Sequence, residues 1–224
     1  MNFLWKIIEY YYNFFIKHII LELSRRHKDE MLNLIINQDT FSNVIRDVET
    51  GLSDIGIIKI TRPVSFTNRR TLMSKNLEFV KVTDGHVYVQ VREGHPLCSV
   101  EGKVDIDNLK KYVLLTNEYV DRSYISMWIG NELDYDNFNN FITVQDHEML
   151  SYFLHETDGV YFSLRGGPMK DKTYLDDGTV LIPLSKKITL DCGYIKRKDE
   201  ALSPIAEEFV NIYKEFAEMN DLRD

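Results

Sequence analysis

Gly51-Leu-Ser-Asp54-Ile-Gly-Ile-Ile-Lys-Ile60 is an almost unbroken apolar run from Ile55 onward. A strand wetted on one face alternates apolar and polar residues, whereas a strand covered on both faces does not. The stretch therefore predicts a strand inside a sheet sandwiched between helices. Gly51 precedes it at the position where helices commonly end, because glycine adopts the left-handed backbone that closes the last turn.

The residues upstream supply the helices. MLNLIINQ (31–38) reads as a strand, and Asp39 or Thr40 suits the N-cap of a helix with Phe41, Val44, Ile45 and Val48 on one face. The chain's opening, NFLWKIIEYYYNFFIKHII, repeats this plan. Residues 3–8 are strand-like, and 9–11 are expected to form a loop. Tyr12, Phe15, Ile16, Ile19, Ile20 and Leu23 then recur at steps of three and four, predicting a helix over 12–26. Lys6, Glu9, Asn13, Lys17 and His18 interrupt the run, which excludes a membrane span and a secretory signal. Two strand–helix–strand units in succession predict an α/β fold with a parallel sheet.

Downstream, 62–75 is polar and expected to be loop plus a short helix. Residues 77–84 and 86–97 alternate as two strands. Asp105 and Asp107 start a short helix that leads to a strand at 112–117. Residues 141–164 read as strand, helix capped near Asp146, and strand. Residues 179–184 and 188–198 are late strands, and Ser203-Pro204 opens a final helix whose apolar stripe is Ile205, Phe209, Ile212, Tyr213 and Phe216.

Bulk properties narrow the function. The 224-residue chain has a net charge of −8 with scattered Lys and Arg, so it lacks the basic stripe that grips a phosphate backbone. Two distant cysteines, Cys98 and Cys192, form neither a disulfide framework nor a metal knuckle and fit a cytoplasmic protein.

Four motifs in order carry a family resemblance: GLSDIGII (51–58), HVYVQVREGHPL (86–97) ending in His95-Pro96-Leu97, DIDNLKKYVLL (105–115), and YIKRKDEALSPIAEEFVNIYKEF (194–216) with Leu202-Ser203-Pro204 at its join. Together they span essentially the whole chain, which resembles the effector-binding domain of LysR-type transcriptional regulators. The resemblance implies a periplasmic-binding-protein-like fold of type 2, with two α/β lobes joined by two crossover strands near 86–92 and 188–194. Lobe I is expected at 1–86 plus 189–224 and lobe II at 87–188. The family's winged helix-turn-helix has no counterpart in this sequence, so DNA binding is expected only through such a domain outside this chain. The resemblance also implies a small-molecule effector in the cleft between the lobes. It further implies a side-by-side homodimer, to which Phe14 and Leu21, off the main stripe of the first helix, are expected to contribute.

Ligands of doubly wound sheets lie beyond the carboxyl ends of the parallel strands, where helix N-termini present free N–H groups. Those ends nominate Glu9, Tyr10, Tyr11, Thr61, Arg62, Thr116, Asn117, Tyr119, Asp146 and His147 as ligand-binding residues. Many family members place Ser or Thr after the first strand to hold a carboxylate. Glu9-Tyr10-Tyr11 at that place suits an aromatic, cationic or larger polar ligand instead, because tyrosine offers a face for stacking and a hydroxyl for bonding.

Plainer structural readings stand beside these. Asp146 suits a helix cap, His18, His27 and His155 suit the surface, His95 belongs to a turn, and Cys98 lacks an activating neighbour. Arg165-Gly166-Gly167 reads as a flexible loop or an anion-binding backbone turn. Asp146, His147 and Glu148 are the only adjacent catalytic candidates, and consecutive helical residues point in different directions. No enzymatic activity, cofactor or metal is expected. A stand-alone solute-binding protein and an enzyme on the same two-lobe fold are the alternatives.

Overall fold

Alternating strand and helix patterns resolve into ten strands and five α-helices among the described residues of a computed structural model, which are 3–9, 14–29, 32–61, 65–117, 138, 140–144, 146–166, 172–175 and 177–221. In chain order these are β1 (Phe3–Glu9), α1 (Phe14–Arg26), β2 (Leu32–Gln38), α2 (Phe41–Glu49), β3 (Ile55–Thr61), α3 (Ser65–Ser74), β4 (Leu77–Arg92), β5 (Leu114–Asn117), β6 (Phe141–Val144), α4 (His147–Glu156), β7 (Val160–Gly166), β8 (Thr173–Tyr174), β9 (Thr179–Pro183), β10 (Thr189–Arg197) and α5 (Pro204–Asp221). Short 3₁₀ turns occupy Pro96–Ser99 and Ile106–Leu109. The chain divides into two compact units, residues 1–85 with 190–224 and residues 86–189.

In the first unit the strands run in the order β2-β1-β3-β10-β4. β1 is parallel to both β2 and β3, and β10 is antiparallel to β3. Every residue from Ile55 to Ile60 is buried. The cause is helices on both faces. Ile55 and Ile57 pack with Ile16, Ile19 and Leu23 of α1 and with Phe209, Ile212 and Tyr213 of α5. On the other face α2 sits so close that a Cβ on Gly56 would meet Val44 Cγ1 at 2.7 Å and Val48 Cγ2 at 3.1 Å. Phe209 and Tyr213 are fully buried. Truncating Phe209 to alanine is worth about 3–5 kcal/mol by the usual cost of emptying an aromatic site.

Helix α2 shows how local sequence sets its own limits. Thr40 Oγ1 accepts the Asn43 N–H at 3.3 Å, and Asp39 Oδ1 accepts the Asn43 side-chain amide at 2.7 Å, so both expected cap residues take part. Gly51 closes the helix at φ 73°. Arg197 of β10 then donates to the Val48 carbonyl at the helix end and to the Ser53 carbonyl beyond it, at 2.7 and 3.2 Å.

In the second unit β7, β5 and β6 follow one another, with β5 parallel to both neighbours. β9 pairs antiparallel with residues 88–92 of β4 and carries β8 on its other edge. Leu150 and Leu154 of α4 pack on Leu115 and Val144.

Three expectations need correction. Residues 77–84 and 86–97 are not two strands but the single strand Leu77–Arg92, followed by a 3₁₀ turn. Gly85 has no left-handed φ and continues the extended chain. Glu9 is not a loop residue; its pairing with Gln38 extends the parallel ladder to the end of β1. His27 and His155, expected on the surface, are half-buried: His27 Nε2 lies 2.7 Å from Glu208 Oε2, and both His155 ring nitrogens contact carbonyls. The expected start of the first helix at Tyr12, the side chain of Phe14 and the Gly167 part of the loop lie outside the described residues.

Candidate functional site

Parallel strands in each unit end at the residues nominated from sequence. In the first unit Glu9 closes β1 and Thr61 closes β3. These two ends are not level. Glu9 pairs with Ile57, so β3 runs four residues further before Thr61, about 13 Å at strand rise. Tyr10, Tyr11 and Arg62 lie outside the described residues.

In the second unit the candidates come closer together. β5 and β6 are in parallel register, with Thr116 opposite Thr143 and Asn117 opposite Val144. Asn117 therefore sits level with the last residue of β6, three residues before α4 begins at His147. Thr116 is buried, and its hydroxyl lies 2.9 Å from that of the exposed Thr143. Thr143 was not singled out from sequence. The signal was present: alternation in Phe141–Val144 puts Thr143 on the face opposite Ile142 and Val144, which face α4. Tyr119 lies outside the described residues.

Asp146 is the N-cap of α4, its Oδ1 accepting the Met149 N–H at 2.7 Å. A carboxylate already occupies this helix N-terminus, where it also meets the positive end of the helix dipole. The end is thus less available to an anionic ligand than its position suggests. His147 is exposed as the first helical residue. The Asp146 carboxylate is turned to the Met149 N–H, the role of a helix cap.

Other polar groups have structural assignments. His95 is buried and caps the 3₁₀ turn at Pro96–Ser99, Nδ1 accepting the Leu97 N–H at 3.1 Å. Cys98 donates weakly to the Arg92 carbonyl at 3.8 Å. Cys192 is buried, and burial pushes its thiol up to about 11, which keeps it protonated and unreactive at neutral pH. Among the described residues no cluster of His, Cys, Asp and Glu is arranged to hold a metal ion, and no helix is long and apolar enough to cross a membrane.

No protein-family model matches the chain, and no curated protein matches its sequence. Solved structures match its fold. The effector-binding domain of QuiR in complex with shikimate shares 13% identity over 98% of this chain and 99% of that one, at a TM-score of 0.65. HinK, a LysR family transcriptional regulator from Pseudomonas aeruginosa, shares 14% identity over 96% of this chain and 71% of its own, at 0.64. A full-length OxyR variant from Pseudomonas aeruginosa shares 14% identity over 99% of this chain and 70% of its own, at 0.68. The class that emerges is an α/β protein of the periplasmic-binding-protein-like type 2 fold. Within that class the chain resembles the effector-binding domains of LysR-family regulators.

Proposed function

We propose that this chain is the non-catalytic, ligand-sensing domain of a LysR-type transcriptional regulator and works in the cytoplasm. The observation that carries the reading is a fold match over 98% of the chain to an effector-binding domain solved with its ligand, shikimate. In this reading the two compact units are lobes I and II. A small-molecule effector binds at the carboxyl ends of their parallel strands, using Glu9, Tyr10, Tyr11, Thr61, Arg62, Thr116, Asn117, Tyr119, Asp146 and His147. Binding shifts the balance between two arrangements of the domain, and the shift reaches DNA through a helix-turn-helix domain of the intact regulator.

A thermal-shift screen of aromatic, cationic and polar metabolites, with shikimate included, tests this, because a ligand specific for the native state raises the melting temperature. Tyr11→Ala and Thr116→Ala are expected to weaken every hit. Unchanged affinity in both variants removes the site assignment, and a screen without hits removes the sensor reading.

The same reading includes a homodimer in which α1 and β2 of one copy meet the second unit of the other. Leu21, Ile35 and Ile36 are exposed on the first pair of elements, and Met149 and Tyr152 are exposed on α4. Apolar side chains grouped in a contiguous exposed patch, unlike single ones, mark surfaces that another molecule covers. Light scattering at high concentration is expected to report a dimer; a clear monomer removes this part.

A further inference from the structure

His155 stands in the last turn of α4, and each of its ring nitrogens faces a carbonyl oxygen. Nδ1 lies 2.7 Å from Ser151 O on the same helix, and Nε2 lies 2.7 Å from Asp177 O on the turn between β8 and β9. A neutral imidazole carries one N–H and one lone pair, so it can satisfy only one of two carbonyls and must turn the lone pair on the other. An imidazolium carries two N–H groups and satisfies both.

The turn that receives the second bond is itself built. Asp177 Oδ1 accepts from the Thr179 N–H and hydroxyl at 3.0 and 2.6 Å, leaving the Asp177 carbonyl to His155. Gly178 takes φ 77°, and its carbonyl accepts the Glu93 N–H at 2.9 Å, fastening the turn beyond the end of β4. The charged groups that face the ring are Asp177 from the turn and Glu156 from α4 itself, both negative. The carboxyl end of a helix also favours a cation.

We propose that His155 is a pH-dependent latch. As an imidazolium it ties the last turn of α4 to the β8–β9 turn, and on giving the Nε2 proton to solvent it keeps the Nδ1–H bond to Ser151 within its own helix and releases the Asp177 carbonyl. The hydrogen bonds to Asp177 and Ser151 hold its pKa above the ordinary histidine value. The latch therefore holds fully below the unfolded-state value of about 6.5 and is lost as pH rises through the higher folded-state value. It stands independently of any effector.

Imidazole nitrogen NMR on the intact chain tests the first half. Both ring nitrogens of His155 are expected to be protonated below about pH 6.5, with a midpoint above that of free histidine. Hydrogen exchange tests the second half. After correction for base catalysis, the Gly178 and Thr179 amides are expected to exchange severalfold faster as pH crosses the His155 midpoint. His155→Gln is expected to exchange fast throughout, without a step. A midpoint at or below the free-histidine value, or a step that persists in His155→Gln, overturns the proposal.

Discussion

His95 and Asp158 are joined by a hydrogen bond that fixes a tautomer. Nδ1 of His95 accepts the Leu97 N–H at 3.1 Å, so the single proton of the neutral ring sits on Nε2 and is donated to the Asp158 carbonyl at 3.2 Å. The ring also packs on Tyr112, with centroids 4.6 Å apart. Protonation would put a second N–H where Leu97 already points its own. Burial holds the pKa below the ordinary value, against the opposing pull of Asp158.

The first prediction follows from the sign of that shift. Below about pH 6.5 the unfolded chain takes up a proton at His95 that the native chain refuses, so this contribution to stability is present above that pH and lost as pH falls. His95→Asn retains a cap acceptor for Leu97 but cannot titrate. Urea midpoints are expected to fall between about pH 7.5 and 5.5 more steeply in the parent than in His95→Asn. Equal slopes would remove the assignment.

The second concerns close packing. A Cβ at Gly56 would meet Val44 Cγ1 at 2.7 Å and Ile195 Cγ1 at 3.0 Å, which are side-chain atoms with some room to move. Gly56→Ala is therefore expected to cost about 1–3 kcal/mol, as overpacked cores do. Val44→Ala should recover part of it, giving a non-additive pair. A Cβ at Gly193 would instead strike the backbone carbonyl of Val80 and the Cα of Lys81. Backbone does not yield as a methyl does, so Gly193→Ala is expected to be the more damaging of the two in a urea titration.

These glycines mark how far the fold was legible from sequence. Ile55–Ile60 announced a doubly covered strand because burial on two faces leaves no polar alternation, and α1, α2 and α5 announced their buried stripes at helical spacing. Gly85 misled because glycine usually punctuates, yet here it stays extended within one sixteen-residue strand. The site was legible only in part. Strand ends gave Thr116 and Asn117 their places, but its hydroxyl partner Thr143 depends on the β5–β6 register, a pairing between segments twenty-seven residues apart. His155 was unreadable for the same reason, since its partner on the β8–β9 turn is twenty-two residues away.

The third prediction separates capping from ligand binding at Asp146. Its carboxylate holds the Met149 N–H at 2.7 Å. Asp146→Ala is expected to lower stability by about 0.5–2 kcal/mol, whereas Asp146→Asn, which still accepts the bond, should cost a small fraction of that. An Asp146→Asn variant with native stability that loses binding of a screened metabolite would assign Asp146 to the ligand as well. Equal destabilisation by both substitutions, measured by urea unfolding, would show that the cap is not what stabilises the site.

The fourth concerns a buried polar chain in the second unit. Gln90 Nε2 donates to Thr179 Oγ1 at 2.8 Å, and the same hydroxyl donates to Asp177 Oδ1 at 2.6 Å. Gln90 and Thr179 are both buried, so neither can turn to water when its partner is removed. Thr179→Val keeps the shape of the side chain but leaves the Gln90 amide without its acceptor. That substitution is expected to cost about 1–3 kcal/mol, the penalty for an orphaned buried donor. Replacing both ends, Gln90→Leu with Thr179→Val, removes the donor along with the acceptor and should recover part of the loss. A double variant as unstable as the sum of the singles would mean that the chain from Gln90 through Thr179 to Asp177 is two local contacts and not one coupled network.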